Sequence, residues 1–409
     1  MVKRMTFKQF LFILPLLMFI GVFSIYPIAV SFSYTFFDYM TNDQQHNGFY
    51  LSEQLNGKLF YEDCDYIIYF IDADKSVEGL SDEDIKAFEA IQMDTSKIMK
   101  RYQDTEGIKK VSKEEMNEVT AFIDDVEKRT MEIYGSNTEL EFYNVENMPQ
   151  IINDMRNCIV ESNFTAFSGF MKLLLDIRFL RALGNTLLFT VISVALELVL
   201  GMVLALVMDK AIRGIGVVRT IALIPWAIPT AVSAMIWSYM YDGSYGVVSK
   251  IFESIGLIGK QSEMLLTSQG ALASIVISDV WKTTPYMALL LLAGLQVVDR
   301  GLYESAAIDG SGPFKTFISI TLPLIKPSIL VALLFRTLDA FRVYDLIAIL
   351  TGGGPGNGTE SLSVYAYKLM FNQSNYGYGS VVVMGMTVCV ALIAILYVKV
   401  LGADVISNN

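Results

Sequence analysis

Histidine and cysteine are scarce in this sequence. Its 409 residues include one histidine, His46, and three cysteines. Metal sites and His-based catalytic triads are built from clusters of such side chains. The sequence therefore predicts no metal site and no such triad, and we expect that the chain is not an enzyme.

A phosphate-binding loop for ATP is also missing. That loop contains a Gly-Lys pair followed by Ser or Thr, with a further glycine upstream. The Gly-Lys pairs of this chain, Gly57-Lys58 and Gly259-Lys260, are followed by other residues and lack the upstream glycine. We expect that this chain neither hydrolyses ATP nor holds a cofactor of its own.

Charged residues make up only 18% of the chain, whereas apolar residues make up 53%. Crossing roughly 30 Å of hydrocarbon takes about 20 apolar residues. Runs of this length lie near 10–36, 182–208, 219–240, 270–295, 328–350 and 379–401. The predicted fold class is an all-α polytopic membrane protein with six transmembrane helices. Pro225 and Pro229 predict either a break or a simple kink in the third run.

The acidic excess is concentrated in one segment. The formal net charge is −11, yet residues 38–172 alone carry 28 acidic and 13 basic residues. This segment lies between the first and second apolar runs. We interpret it as a soluble insertion of mixed α/β structure, whose acidic surface either keeps it soluble or docks a partner.

Local motifs within the insertion predict two helices and one strand. Ser81 and Ser112 are each followed three residues later by an acidic residue and then by apolar residues at helical spacing. The second of these helices is predicted to end at Gly135. Tyr66 to Ile71 is rich in aromatic and β-branched residues and favours a strand.

Two of the three cysteines, Cys64 and Cys158, lie in the insertion, whereas Cys389 lies in the last apolar run. A segment outside the cytoplasm is on the oxidising side of the membrane. The sequence therefore leaves two alternatives, a Cys64–Cys158 disulfide or two free thiols.

Basic residues near the ends of the apolar runs indicate the orientation of the chain. They are Lys3, Arg4, Lys8, Lys210, Arg213, Arg219, Arg300, Lys315, Lys326 and Lys399. All of them fall on one side if both termini are cytoplasmic, as the positive-inside rule requires. The first apolar run exceeds a signal-peptide core of roughly 7–15 residues, so we expect it to be retained as a span.

A compact polar segment, Glu304–Pro323, lies between two apolar runs and reads ESAAIDGSGPFKTFISITLP. A carboxylate and small residues precede Gly310, which favours the end of a helix, and Pro313 favours the start of another. An apolar stripe at helical spacing follows. The segment predicts a helix–turn–helix at the membrane surface that binds a partner.

This segment resembles the EAA loop of the permease subunits of binding-protein-dependent ABC importers. In that loop Glu-Ala-Ala, three residues, Gly, nine residues, Ile, one residue and Leu-Pro recur. The resemblance implies that the residues coupling this chain to an ATPase are Glu304, Ser305, Ala306, Gly310, Ile320, Leu322 and Pro323, with serine in place of one alanine. Further stretches at 224–237, 279–296 and 333–362 are similar to sugar permeases of the maltose/trehalose/oligosaccharide type.

The resemblance implies a type I permease fold and a set of partners. The first helix lies within 1–37, the insertion spans 38–172, and the five-helix core spans 173–409 with the coupling loop at 299–327. The implied partners are a second permease of the same fold, two ATPases that bind ATP-Mg, an extracytoplasmic solute-binding protein, the lipid bilayer and a sugar, with no nucleic acid. The implied location is the bacterial cytoplasmic membrane, crossed several times.

Ionisable residues inside the apolar runs are costly and usually face a partner or a water-filled path. They are Glu197, Asp279, Lys282, Arg336, Asp339, Arg342 and Asp345. In one interpretation, pairs three residues apart neutralise each other: Asp279 with Lys282, Arg336 with Asp339, and Arg342 with Asp345.

In the other interpretation, two helical faces line a path for the transported solute. The lining residues are then Asp279, Thr283, Tyr286, Arg336, Asp339, Ala340 and Val343. Charged, hydroxyl-bearing and aromatic side chains suit a carbohydrate, whose hydroxyls need hydrogen-bond partners and whose ring faces stack on aromatic rings.

Two other functional classes remain open at this point. An ion-coupled secondary transporter or channel would use the charges inside the membrane and need no ATPase. A membrane-anchored receptor would sense a ligand through the insertion and need a cytoplasmic signalling domain. The predicted coupling segment favours neither class.

Overall fold

The computed structural model describes the backbone of residues 7–210 and 214–407 and the side chains of residues 10–210 and 214–400. Four of the basic residues that predict the orientation, Lys3, Arg4, Lys8 and Arg213, lie outside the described side chains. The chain divides into two compact units. The first is Met1–Phe167 with Ser374–Tyr378, and the second is Ser168–Gln373 with Gly379–Asn409.

The first unit begins with an apolar helical segment and continues into mainly helical structure. Its described helices are α1 (Phe7–Ile20), α2 (Tyr26–Tyr34), α3 (Gly57–Asp74), α4 (Asp82–Met99), α5 (Lys113–Ser136) and α6 (Asn147–Asn157). A π-helical turn at Gly21–Ile25 joins α1 to α2. Three short strands, β1 (Gln54–Asn56), β2 (Ile108–Lys110) and β3 (Ile159–Val160), form an antiparallel sheet in the order β2-β1-β3.

The two helices predicted from capping residues are confirmed. The Ser81 hydroxyl accepts a hydrogen bond from the Asp84 N–H, and the Ser112 hydroxyl accepts one from the Glu115 N–H, both at 3.1 Å. These contacts satisfy backbone donors that have no partner inside the first turn. The apolar faces of α4 and α5 are buried in the core of the unit. The second helix ends at Ser136, one residue beyond the predicted end.

The predicted strand at Tyr66–Ile71 is wrong, because these residues lie inside α3. The Asn56 side chain accepts a hydrogen bond from the Leu59 N–H at 3.3 Å and caps the helix. Four apolar side chains of α3 then recur at helical rather than alternating spacing and are buried: Phe60, Cys64, Ile67 and Ile71. The helical spacing of these four side chains from Phe60 to Ile71 therefore outweighs the local β-propensity of the run.

Cys64 and Cys158 are both buried free thiols in the structure. The Cys158 Sγ donates to Asp63 Oδ2 at 3.1 Å. Burial raises the pKa of both thiols, and the neighbouring Asp63 carboxylate raises it further. Because the thiolate is the reactive form, neither side chain is expected to react readily in the folded protein.

We therefore expect maleimide to leave Cys64 and Cys158 unmodified in the folded protein and to modify both after unfolding without a reductant. Mass spectrometry of the two peptides measures this, in a Cys389→Ala background that removes the third thiol. If both peptides are modified only after reduction, the two residues form a disulfide and the expectation is wrong.

The second unit contains the remaining helices. They are α7 (Ser168–Leu175), α8 (Ile177–Asp209), α9 (Ile215–Ala227), α10 (Thr230–Met240), α11 (Val247–Ser254), α12 (Glu263–Leu266), α13 (Ser268–Leu295), α14 (Arg300–Ile308), α15 (Pro313–Thr316), α16 (Leu322–Leu324), α17 (Lys326–Phe341), α18 (Asp345–Leu350), α19 (Leu362–Tyr367) and α20 (Tyr376–Ser407), whose first residues belong to the first unit. π-Helical turns lie at Phe317–Thr321 and Lys368–Asn372.

Among the described residues, four helical segments are long and apolar enough to cross a membrane. They are Phe10–Tyr34, Ile177–Asp209, Ser268–Leu295 and Tyr376–Val400. Two further segments pass the same test only as bent pairs. The pair α9 and α10 is bent by 87°, and the pair Pro313–Leu324 and Lys326–Phe341 is bent by 69°. If each bent pair is one span, the number reaches six.

The breaks refine the predictions for the third and fifth apolar runs. The third run breaks at Ile228 and Pro229, whereas Pro225 lies inside α9. The prediction of one uninterrupted span over 328–350 is wrong, because α17 ends at Phe341 and α18 begins at Asp345. Short-range bonds close α17, since the Arg342 N–H donates to the Asp339 carbonyl.

Helices α8 and α13 form the centre of the second unit. A Cβ built on Gly201 of α8 would lie 2.8 Å from Met287 Cγ and 3.3 Å from the Ala288 N atom of α13. The two backbones therefore approach more closely than a side chain at this position would allow. The surrounding core is apolar and includes Ala205, Ile275 and Leu291. Polar residues of α8 and α13 meet α17 at the edge of this core.

Candidate functional site

A cavity of about 640 Å³ lies where the break between α9 and α10 meets α13, α17 and the start of α18. It is lined by Trp226, Ala227, Ile228, Pro229, Thr230, Asp279, Lys282, Thr283, Arg336, Asp339, Ala340, Arg342, Val343, Tyr344, Asp345 and Leu346. Charged groups, backbone of the broken helix and two aromatic rings therefore face the same space.

Six of the seven residues predicted to line a path do line this cavity. They are Asp279, Thr283, Arg336, Asp339, Ala340 and Val343. Val343 does so from the segment after α17 rather than from the helix itself. Tyr286 is not among the lining residues. Its ring stacks on Trp226, with centroids 5.7 Å apart and planes at 13°.

Arg336 is the centre of a buried ionic cluster. Its side chain is 1% exposed. Its Nε and Nη2 atoms donate to the two carboxylate oxygens of Glu197 at 2.5 and 2.9 Å. Nη2 also donates to Asp279 Oδ2, and Nη1 donates to Asp339 Oδ2 at 3.2 Å. One guanidinium thus joins α8, α13 and α17 through three carboxylates.

Glu197 completes this cluster, although sequence reasoning did not place it among the site residues. It is fully buried on α8, and its Oε1 also accepts a hydrogen bond from the Thr283 hydroxyl at 2.7 Å. The available signal was its position as an ionisable residue inside an apolar run. Its partner could not be identified, because Arg336 lies 139 residues further along the chain.

The predicted pairing of neighbouring charges is confirmed for Arg336 and Asp339 alone. In the part of the chain that the structure describes, neither Asp279 and Lys282 nor Arg342 and Asp345 are ion-paired with each other. Lys282 Nζ instead donates to the Ile228 carbonyl at 2.5 Å and the Trp226 carbonyl at 3.3 Å. Arg342 Nε donates to the Leu338 carbonyl at 3.2 Å.

The predicted helix–turn–helix at Glu304–Pro323 is confirmed. Helix α14 begins after Asp299, whose side chain accepts from the Gly301 N–H at 2.8 Å. Gly310 follows the helix at φ = +76°, a conformation that residues with a Cβ rarely adopt. Pro313 is the first residue of α15.

The residues predicted for coupling differ in their exposure. Glu304, Ser305, Leu322 and Pro323 are exposed, whereas Ile320 is half-buried. Ala306 is buried within the chain, at 7% exposure. Three neighbouring apolar side chains of the segment, Ile308, Phe314 and Ile318, are exposed. Exposed apolar side chains on a segment at the membrane surface are typical of a surface that binds another protein.

Glu304 also lines a second cavity of about 600 Å³. Its other lining residues are Asp209, Lys210, Ile215, Arg219, Leu295, Gln296, Val298, Arg300 and Tyr303. The Arg219 guanidinium donates to the Met208 carbonyl at the end of α8, with Nη2 at 2.7 Å. The start of the coupling segment therefore lies beside the end of α8 and the start of α9.

Comparison with known proteins places this architecture among transport proteins. Residues 197–405 match the family described as the binding-protein-dependent transport system inner membrane component. A trehalose/maltose transport system permease protein of Thermococcus litoralis is 45% identical over 242 residues, which cover 59% of this chain and 81% of the relative. A trehalose transport system permease protein of Mycobacterium tuberculosis is 42% identical over 251 residues, covering 61% and 79%.

Two solved structures share the fold. A bacterial alginate ABC transporter in complex with an alginate pentasaccharide-bound periplasmic protein matches with a TM-score of 0.51 and 25% identity, over 57% of this chain and 81% of that one. A bacterial ABC transporter involved in the import of alginate matches with a TM-score of 0.53 and 22% identity, over 68% and 98%.

Proposed function

Because this chain belongs to the family of inner-membrane components of binding-protein-dependent transport systems, we propose that it is the permease subunit of an ATP-driven carbohydrate importer. In this role it forms half of the translocation pore, and a partner ATPase binds ATP-Mg and hydrolyses the ATP. The observation that carries the proposal is the cavity at the break of α9 and α10, with its charged, hydroxyl-bearing and aromatic lining.

The proposed topology counts α9 with α10 as one span and α17 as another, and it leaves the short helices just before Lys326 outside the membrane as part of the coupling segment. This makes six transmembrane helices with both termini in the cytoplasm of a bacterial cell. The helical lengths and the distribution of basic residues support it. Residues 38–172 then form a mixed α/β insertion outside the membrane, and its helices and short sheet support this description.

The proposed partners are two ATPases, a second permease of the same fold and an extracytoplasmic solute-binding protein. The exposed apolar side chains of the segment 304–323 support ATPase binding there, with Glu304 at the contact. Docking of the solute-binding protein on the acidic insertion is supported by its charge, 28 acidic against 13 basic residues. The alginate transporter of similar fold was solved with its periplasmic protein.

The chemistry of the cavity supports an uncharged carbohydrate rather than an anionic one. The buried cations already have partners, since Arg336 contacts three carboxylates and Lys282 contacts two carbonyls. The Asp339 side chain, by contrast, is 62% exposed. The exposed charges of the lining are Asp339 and Asp345 against Arg342, so an anionic sugar would meet a net negative charge. The hydroxyls of a neutral sugar could instead donate to Asp339.

Uptake into proteoliposomes that contain the full importer and its binding protein tests the proposed function. We expect ATP inside the vesicles to drive uptake of trehalose or maltose, and a glucuronate-containing disaccharide to be taken up poorly. Asp339→Asn removes hydrogen-bond acceptors and is expected to reduce sugar uptake roughly tenfold, consistent with the loss of a hydrogen bond to a charged group.

Trp281→Phe, a half-exposed aromatic residue outside the cavity lining, serves as the matched control and is expected to leave uptake unchanged. Ion-driven uptake that persists without ATP would favour a secondary transporter and contradict the proposal. Unchanged uptake kinetics in Asp339→Asn and Tyr286→Ala would remove both residues from the proposed pathway.

A further inference from the structure

The break between α9 and α10 leaves backbone groups without helical partners at the wall of the cavity. Helix α9 ends at Ala227, Ile228 is extended, and Pro229 carries no N–H group. The last carbonyls of α9 therefore have no partner in the next helical turn. Such carbonyls need hydrogen-bond donors from the protein or from water in the cavity that they line.

Lys282 supplies those donors from a different helix. Its Nζ atom lies 2.5 Å from the Ile228 carbonyl oxygen and 3.3 Å from the Trp226 carbonyl oxygen. Its ammonium group also lies at the C-terminal end of α9, where a positive charge is favourable to the helix dipole. The residue is 7% exposed, so most of its side chain is shielded from bulk solvent although it lies at the cavity wall.

The carboxylate on the same face of α13 does not compete for Lys282. Asp279 accepts from Arg336 instead. The cluster around Arg336 and the contact of Lys282 are therefore two separate connections between helices. One joins α8, α13 and α17, and the other joins α13 to the end of α9.

The second connection also sets the position of an aromatic ring. Trp226 lines the cavity, and its indole stacks on Tyr286, four residues after Lys282 on α13. The Trp226 backbone and side chain are therefore both held by α13, through Lys282 and Tyr286. If the Lys282 contact is lost, the end of α9 and the ring it carries are free to shift.

We propose that Lys282 is a positioning residue that fixes the broken helix and holds Trp226 in the wall of the cavity, without itself binding the transported solute. The consequence for transport rests on the proposed function, because it takes the cavity as the solute pathway. The structural connection does not depend on what passes through the cavity.

The test uses the assembled importer labelled with 5-fluorotryptophan, with the fluorine resonance of Trp226 assigned by Trp226→Phe. The chain has three tryptophans; Trp281 adjoins Lys282 in sequence, so Trp237 provides the internal reference. We expect Lys282→Met to shift or broaden the Trp226 resonance while that of Trp237 stays in place. Lys282→Arg, which still carries a donor and a positive charge, is expected to restore it. Lys250→Met, an exposed lysine of α11, is the matched control.

Uptake is measured on the same variants, and we expect Lys282→Met to reduce it roughly tenfold, as the loss of charged hydrogen bonds implies. An unchanged Trp226 resonance in Lys282→Met overturns the proposal, and reduced uptake with that resonance unchanged would mean that Lys282 contacts the solute directly. Failure of Lys282→Arg to restore the resonance also counts against it. The Trp226 resonance is recorded without solute or ATP. It therefore tests the contact between Lys282 and the end of α9 even if the proposed function is wrong.

Discussion

Arg336→Met is expected to destabilise the folded protein by about 3–5 kcal/mol, the range observed when one partner of a buried ion pair is removed. The substitution leaves Glu197 and Asp279 buried without their guanidinium. A loss of this size is a large fraction of the roughly 5–15 kcal/mol that stabilises a typical folded domain. We expect the yield of monodisperse protein and its thermal stability in detergent to fall sharply.

Two further variants separate lost charge pairing from lost side-chain volume. Arg342→Met removes an arginine near the same end of α17, where the guanidinium donates only to the Leu338 carbonyl, and is expected to have little effect. Combining Arg336→Met with Glu197→Gln and Asp279→Asn removes the unpaired charges and is expected to recover much of the stability. If Arg336→Met is as stable as Arg342→Met, the cluster does not hold the three helices together.

The energetic weight of Arg336 was not predictable from local spacing. The sequence placed Arg336 and Asp339 three residues apart on one helix, and that contact forms. The stronger contacts, however, come from Glu197 on α8 and Asp279 on α13. Such partners depend on how helices pack against each other, and a periodic pattern within one helix carries no information about its neighbours.

The lining of the cavity was largely predictable because each helix presents one polar face. Five predicted residues line the cavity from α13 and α17, and Val343 lines it from the segment after α17. Tyr286, seven residues after Asp279, stacks on Trp226 instead. Lys282 was paired with Asp279 by spacing, yet it contacts the end of α9. The break that creates those free carbonyls was signalled by Pro229, but the bend of 87° was not.

Hydropathy predicted the positions of the apolar runs better than it predicted where the helices within them begin and end. The segment 328–350 is apolar enough to be one span, yet α17 ends at Phe341 and α18 begins at Asp345. Apolar composition states only that a segment can be buried in hydrocarbon. In the insertion, the opposite error arose at Tyr66–Ile71, where local β-propensity obscured a helix that a cap at Asn56 begins.

Replacing Gly310 is expected to uncouple ATP hydrolysis from uptake. Gly310 has φ = +76°, and no atom lies within 4 Å of a Cβ built on it. A substitution there acts through the backbone rather than through a clash. A residue with a Cβ costs about 1–2 kcal/mol in this conformation, and proline, with φ fixed near −65°, cannot adopt it. We expect Gly310→Ser to reduce ATP-driven uptake about tenfold and Gly310→Pro to abolish it.

Gly312 provides a matched control two residues away. A Cβ at Gly312 also meets no atom within 4 Å, but its φ is −71°, and it is the N-cap of α15. Serine is favourable at an N-cap, so Gly312→Ser is expected to preserve uptake. The pair thus differs in backbone conformation while the added side chain is the same. Uptake into proteoliposomes, ATPase activity and co-purification of the ATPase are measured together for both variants.

The coupling role predicts a specific combination of results. Glu304→Ala and Gly310→Pro should impair ATPase assembly or uptake. The affinity of the solute-binding protein for its sugar should stay unchanged, because that protein is a separate chain. Normal ATP-driven uptake by Gly310→Pro would show that the turn after α14 is not needed for coupling. Equal losses in Gly310→Ser and Gly312→Ser would instead assign the defect to added bulk at the contact, and the geometry of the turn would lose its proposed role.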